Sequence, residues 1–214
     1  MIIAIDGPAG SGKTTVTKLL AKRLNIAYLD TGAMYRALTL KVLKAGIPVS
    51  DAALVSDCAR NINLRIETDR VFLDSEDVTS EIRAPDIDKN ISMIVSYPDV
   101  RNEMVALQRR IAINRDYVVE GRDITTVVFP KAEFKFYLDA DFSKRVGRRY
   151  AELENKGVDI DIDELSEVLH KRDKADKERK IGALRISEDA IFVDTTDLSI
   201  EEVVEKLAEY ITKG

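Results

Sequence analysis

Residues Gly7 to Thr15 read GPAGSGKTT and join the apolar run Ile2-Ile3-Ala4-Ile5 to the helix-like stretch VTKLLAKRL. Three glycines and a proline in nine residues would suit any turn. Here, however, Gly7, Gly12, Lys13 and Thr14 fill every fixed position of G-x-x-x-x-G-K-[ST], where a strand passes into a helix. Main-chain N–H groups can wrap a phosphate only if the backbone curls around it, which requires residues that tolerate positive φ and bring no side chain. The helix that follows adds free N–H groups and the positive end of its dipole. The pattern therefore predicts a phosphate loop for a nucleoside triphosphate, with ATP the expected ligand. Lys13 is placed to reach the outer phosphates and the Thr14 hydroxyl to ligate Mg²⁺.

Four more apolar runs, Ala27 to Leu29, Tyr117 to Val119, Phe134 to Leu138 and Ile191 to Val193, have the continuous hydrophobicity of strands buried on both faces. Each precedes a helical pattern. The alternation predicts an α/β fold with a five-stranded parallel sheet flanked by helices. The last helix is expected from Ser199, where Ser199 and Glu202 form a capping box and Val203, Leu207 and Ile211 share a face. One region interrupts the alternation. Ile62 to Glu67 and Val71 to Asp74 alternate with period two around the turn Thr68-Asp69-Arg70, which predicts a hairpin. A hairpin is antiparallel and its connections are too short for a crossover, so it belongs to an insertion outside the parallel sheet.

Composition narrows the function classes. With 45% hydrophobic and 33% charged residues the chain has the make-up of a soluble globular protein, and a net charge of -5 offers no general field for nucleic acid. A nucleotide site must then concentrate its cations locally. Cys58 is the only cysteine, which excludes an internal disulfide and a Cys-based zinc site; it is expected as a small buried hydrophobe in the helix-like segment Asp51 to Arg60. No apolar run is long enough to span a membrane and the first residues run directly into a strand, so a cytoplasmic protein is expected. The single histidine, His170, lies on a charged helix and is expected at the surface.

Cations do collect at particular places. Asp30 to Arg36 (DTGAMYR) follows one expected strand, and EGRD, with Arg122 and Asp123, follows another. Both lie at the carboxyl edge of the sheet, where open α/β folds bind ligands. Arg36 and Arg122 are thus candidates to grip a second phosphate-bearing ligand, with ordinary ion pairs as the alternative for either one alone. A second cluster is helical: Arg145, Arg148 and Arg149 are close in sequence, and Arg172, Asp176 and Arg179 are spaced i, i+4, i+7 as on one helix face. Such a run is usually a solvated helix. A phosphoryl-transfer enzyme, though, needs cations around the transferring group, which makes this segment a candidate lid.

Other phosphate-loop classes fit less well. No glycine has an aspartate three residues before it, so the D-x-x-G switch of a GTPase is missing, and in Asn155-Lys156-Gly157-Val158-Asp159 the aspartate sits one place too far for a guanine reader. Glu120 in VVEG follows only a short apolar run, a weak match to a motor ATPase. A small-molecule kinase best explains the additional arginines. A kinase for another acceptor, such as shikimate or dephospho-coenzyme A, and a non-catalytic nucleotide-binding module are the alternatives.

In order along nearly the whole chain, GPAGSGKTT, LDTGAMYRALTL, EDVTSEIR, the segment from Ser92 through Tyr97-Pro98-Asp99-Val100-Arg101, EGRDITTVVFP and KRDKADKER resemble the bacterial cytidylate kinase family. The resemblance implies one P-loop kinase domain over 1–214, with a nucleoside-monophosphate-binding region at about 36–100 that includes the insertion at about 62–83, and a helical lid at about 145–180. It implies transfer of the ATP γ-phosphate to CMP or dCMP with Mg²⁺, by a monomer that binds neither nucleic acid nor membrane. ATP is expected on Gly7, Pro8, Ala9, Gly10, Ser11, Gly12, Lys13, Thr14 and Thr15. CMP is expected on Asp30, Arg36, Ser92, Arg101, Arg122, Asp123, Arg172, Asp176 and Arg179. Within that set Arg36 and Arg122 hold the phosphate, Ser92, Arg101 and Asp123 read cytosine, and Arg172 and Asp176 meet the ribose. Lys13, Arg148 and Arg179 form the expected catalytic set. A carboxylate accepting from the exocyclic amine of cytosine and an arginine donating to its ring acceptors would both be mismatched by uracil. Thr125 departs from the family pattern, which commonly has glycine there, and Thr14-Thr15 stands where many relatives have serine while keeping the hydroxyl.

Overall fold

The computed structural model describes residues 1–67, 70–155 and 157–213. It divides into two compact units, Met1–Tyr28 with Asp116–Gly214, and Leu29–Arg115. The chain enters the first unit with β1 (Ile2–Asp6), α1 (Lys13–Leu24) and β2 (Ala27–Asp30), the last two residues of β2 belonging to the second unit. Helix α1 stops at Asn25, which takes the left-handed conformation (φ 54°) and returns its N–H to Ala21 and Lys22, as a C-terminal cap does.

The second unit holds α2 (Thr31–Lys44), α3 (Ala52–Arg60), β3 (Leu64–Glu67), β4 (Arg70–Leu73), β5 (Glu76–Asp77), α4 (Pro85–Ile94) and α5 (Pro98–Ile111). Its helices start where the sequence supplies a cap or a proline. Asp30 accepts from Ala33 N–H and Asp51 from Leu54 N–H, while Pro85 and Pro98 open α4 and α5. The expected hairpin is present as β3 and β4, with Leu64 opposite Leu73; its turn residues Thr68 and Asp69 lie outside the described residues. The chain then turns again at Asp74 and Ser75, both with positive φ (49° and 75°), and adds β5 as a third antiparallel strand. Two residues of positive φ joining antiparallel strands match the twist of a tight hairpin. Cys58 is only half-buried, contrary to the sequence expectation, because it lies beside the buried face of α3 marked by Val55 and Ala59.

The chain returns through β6 (Tyr117–Gly121), a single π-type turn at Ile124–Val128, β7 (Phe134–Asp139), α6 (Phe142–Asn155), α7 (Ile162–Glu178), β8 (Ile191–Asp194) and α8 (Ile200–Lys213). The five-stranded sheet has the order β2-β6-β1-β7-β8, with β1 paired in parallel to β6 and β7, and β7 to β8. Ile3, Ile5, Val118, Phe136, Leu138 and Val193 pack with Val16 and Leu20 of α1 and Val203 and Leu207 of α8 into the core of the first unit. The capping box of α8 forms as read: Glu202 N–H donates to Ser199 Oγ (3.1 Å) and Ser199 N–H to Glu202 Oε2 (2.7 Å).

Central position and parallel pairing bring the carboxyl end of β1 beside that of β7, and the loop to α1 starts there. A Cβ on Gly7 would lie 2.0 Å from the Leu138 carbonyl oxygen, so only glycine lets the chain pass. Gly10 has φ 76°, and a Cβ there would come within 2.8 Å of the Arg145 carbonyl oxygen. Gly7→Ala is expected to destabilise the protein by at least about 2 kcal/mol in urea denaturation, since β7 backbone must move to admit the methyl. An unchanged midpoint would show that the loop does not run against β7 as described.

Candidate active site

The N-terminal end of α1 is open. Gly12, in the left-handed conformation (φ 85°), precedes its first residue and provides no side-chain cap. The first N–H groups of the helix therefore point out of it with no side-chain acceptor at the cap position, the arrangement that receives phosphate. Lys13, only 5% exposed, curls back into the loop and donates to Pro8 O (2.6 Å) and Ser11 Oγ (3.1 Å). Burial lowers its pKa to about 7; the positive charges of Arg122 and Arg172 lower it too, while Glu120 and Asp6 oppose the shift. Thr14 Oγ1 donates to Glu120 Oε2 (3.1 Å), the carboxylate near the end of β6. Thr15, by contrast, is exposed.

A second carboxylate organises the loop after β6. Asp6, fully buried, accepts from Ile124 N–H (2.9 Å), Thr125 N–H (2.8 Å) and Thr125 Oγ1 (2.7 Å). Burial raises its pKa and nearby Asp123 adds to the rise, with the Thr125 and Ile124 hydrogen bonds opposing both. The Thr125 hydroxyl thus gives Asp6 a donor that a residue without a side-chain hydroxyl could not supply. Asp123 is itself buried, and its carbonyl accepts from Val127 N–H (2.9 Å) and Val128 N–H (3.1 Å), which forms the π-type turn and fixes the backbone that carries Arg122.

The arginines of the first unit are interlocked. Arg122 Nε donates to Asp176 Oδ2 (2.8 Å) and Arg179 pairs with the other oxygen of Asp176, while Arg179 Nη1 also reaches Gly182 O (3.3 Å). Burial alone would raise the Asp176 pKa, but Arg122, Arg179 and Arg172 hold it below the usual carboxylate range. Arg122 is the reverse case: burial acts to lower its pKa, and Asp176, Glu120 and Asp173 hold it raised. Arg179 is not the third residue of one helical face with Arg172 and Asp176. Helix α7 ends at Glu178, and Arg179 is its extended cap, which is how it folds back on Asp176. Arg148 Nη2 donates to Thr195 O (2.5 Å) and Nη1 to Thr195 Oγ1 (3.1 Å), so it is anchored just beyond β8. His170 is exposed and meets the edge of the Phe142 ring.

Three residues of this neighbourhood carry more than their sequence context suggested. Arg145, within a run that reads as a solvated helix, is 7% exposed; it pairs with Asp173 (2.5 Å) and donates to Ala9 O (3.0 Å) inside the phosphate loop. Asp6 and Glu120 were the others. Their signal was available, because β1, β2, β7 and β8 each end in an aspartate and β6 has Glu120 as its penultimate residue.

In the second unit, Asp30 caps α2 and pairs with Arg83 (3.2 Å). Arg36 is 7% exposed and bonded to Ile82 O (3.2 Å) and Asp88 Oδ1 (2.5 Å). Arg101 is 1% exposed, with its guanidinium 5.7 Å from the Tyr35 ring centroid. Ser92 is exposed on α4. The expected residues therefore form two groups. The loop 7–15, Arg122, Asp123, Arg148, Arg172, Asp176 and Arg179 belong to the first unit, and Asp30, Arg36, Ser92 and Arg101 to the second.

The family model for cytidylate kinase matches residues 3–213. The chain belongs to the cytidylate kinase family. A cytidylate kinase from Caldanaerobacter subterraneus subsp. tengcongensis is 51% identical over 212 residues, covering 99% of this chain and 95% of the relative. One from Fusobacterium nucleatum is 44% identical, covering 100% and 98%. Among solved structures, a protein from Eubacterium ventriosum (TM-score 0.53, 17% identity, 100% of this chain and 99% of that one) and a gluconokinase from Sinorhizobium meliloti (TM-score 0.52, 15% identity, 99% and 91%) share the fold. As a member of the cytidylate kinase family the chain is a phosphotransferase, and kinase chemistry explains why lysine and arginines surround the loop.

The depressed pKa of Lys13 yields a signed prediction. The folded value of about 7 lies below the ordinary 10.5, so folding releases a proton between these values and burial of the ammonium costs most below pH 7. Stability contributed through Lys13 must rise as pH climbs from 7 toward 10.5. Lys13→Met removes this dependence. In urea denaturation without nucleotide, the variant should exceed the parent most at pH 6.5, and that margin should shrink steadily through pH 9 and vanish only near pH 10.5; a margin constant with pH would contradict the buried placement.

Proposed function

We propose that this chain transfers the γ-phosphoryl group of ATP to the phosphate of CMP or dCMP, giving CDP or dCDP. The observation that carries the reading is the loop Gly7–Gly12 running into an uncapped helix with Lys13 folded inside it, beside the Arg122–Asp176–Arg179 cluster of the same unit. A phosphate monoester is already anionic at neutral pH, so the attacking oxygen needs no protein base. The work of the site is placement and charge neutralisation.

ATP is assigned to the main chain and side chains of Gly7–Thr15, with Lys13 on its outer phosphates. Lys13, Arg148 and Arg179 form the proposed catalytic set, covering charge on the phosphoryl group in flight. The CMP phosphate is assigned to Arg36 and Arg122, the ribose to Arg172 and Asp176, and the base to Ser92, Arg101 and Asp123, with Asp30 and Arg179 completing the set. Burial of Arg101 and Asp123 supports a reading role, since a mismatched base would leave buried polar groups without partners. The region at about 145–180, which includes α7, is proposed to act as the lid.

The donor set suits Mg²⁺. Thr14 contributes a hydroxyl and Glu120 a carboxylate 3.1 Å from it, both hard oxygen donors, and among the described residues no group of three or more His, Cys, Asp or Glu is placed to hold a metal alone. That is the pattern of a cation held largely by nucleotide phosphates and water. Bound there, Mg²⁺ would neutralise phosphate charge. No helix among the described residues is long and apolar enough to cross a membrane. We further infer a monomer that works in the cytoplasm without nucleic acid.

ADP formation from ATP and Mg²⁺ should be strong with CMP and dCMP and weak with UMP, AMP and GMP against a control without acceptor. Comparable turnover with AMP or UMP would remove the cytosine-reading role of Arg101 and Asp123, and turnover with none would remove the reaction. Lys13→Ala should lower kcat by at least about 10²- to 10³-fold while the protein stays folded.

A further inference from the structure

Arg36 enters the second unit on α2 and is held on two sides. Its Nη1 donates to the carbonyl of Ile82 (3.2 Å) and its Nη2 to the Asp88 carboxylate (2.5 Å) in the first turn of α4. The Arg36 side chain is 8% exposed and that of Asp88 35%. These two contacts differ in kind. The carbonyl is neutral and fixes the direction of the guanidinium, whereas the carboxylate also sets a full negative charge beside it.

A guanidinium has five N–H donors, so both contacts leave some available. The electrostatic position is less favourable. A nucleoside monophosphate carries between one and two negative charges near pH 7, and any phosphate drawn to Arg36 comes close to Asp88 as well. Like charges at that range oppose binding unless one moves away.

From this geometry we infer that Asp88 is an affinity-setting counter-charge: it neutralises Arg36 while the phosphate seat is empty and weakens capture of the substrate phosphate. The inference rests on Arg36 gripping the CMP phosphate, as proposed above. It goes beyond that reading by giving a function to a residue that touches neither the base nor the ribose in the assignment.

The conservative variant separates the two effects. Asp88→Asn keeps an oxygen that can accept from Arg36, and so keeps its direction, but removes the charge. Titration calorimetry on the full chain, folded by circular dichroism, would compare CMP with cytidine, which lacks the phosphate. The expected result for Asp88→Asn is a Kd for CMP about three- to tenfold lower at low salt, a gain that shrinks as salt rises, and a Kd for cytidine within about twofold of the parent. Weaker CMP binding, or equal shifts for CMP and cytidine, would overturn the inference. Arg36→Ala serves as the separate check on the underlying assignment. If it leaves CMP binding unchanged, Arg36 is not the phosphate grip and the role of Asp88 falls with it. If it weakens CMP binding while Asp88→Asn fails to strengthen it, the inference about Asp88 alone is wrong.

Discussion

A carboxylate buried at the end of a strand must be met by donors, and much of this site follows from that requirement. Asp6 is fully buried and Glu120 nearly so, and an ionised carboxylate in such a place is costly unless hydrogen-bonded. Asp6 is met by the N–H groups of Ile124 and Thr125 and by the Thr125 hydroxyl, which shapes the loop carrying Arg122 and Asp123. Glu120 is met by Thr14, the first hydroxyl of α1. Asp139 accepts from Ala140 N–H and lies 3.5 Å from Arg145, and Asp194 accepts from the N–H and hydroxyl of Thr196. The acidic strand ends therefore act on the loops and helix starts that follow them.

The same requirement sets the state of the cations. Arg122 and Arg179 share Asp176, Arg145 has Asp173, and Arg36 has Asp88. Lys13 is different: its nearest hydrogen-bond acceptors are a carbonyl and a hydroxyl, and its pKa falls to about 7. On the proposed assignment of Lys13 to the outer phosphates of ATP, the arriving anion would stabilise the ammonium that burial disfavours. The paired arginines are fixed in direction by their carboxylates, whereas the buried lysine donates to a carbonyl and a hydroxyl. Together these suit phosphoryl transfer, where positioning and charge stabilisation supply most of the rate.

Much of the fold was legible from local pattern alone. The phosphate loop, the apolar strand runs and the capping box at Ser199 and Glu202 are short-range signals, and all appear where the residues placed them. The strand ends were read short because an apolar run stops at the first acid, while parallel pairing continues through Asp6 and Gly121. Strand β5 was missed because a two-residue strand after Asp74 and Ser75 has no period to detect. In the site, the residue types were visible and their partners were not. Arg122 and Asp176 are 54 positions apart, and nothing in KRVGRRY distinguishes buried Arg145 from half-exposed Arg149 until Asp173 and Ala9 are brought beside it.

The most direct test of phosphoryl transfer follows the phosphorus itself. ATP labelled at its γ position would be incubated with the full chain, Mg²⁺ and excess CMP for a single turnover and the products separated. The label should appear in the β-phosphate of CDP, with almost none in inorganic phosphate. Label found chiefly in inorganic phosphate, or retained in ATP over many minutes, would contradict a site built to hold two nucleotides for direct transfer.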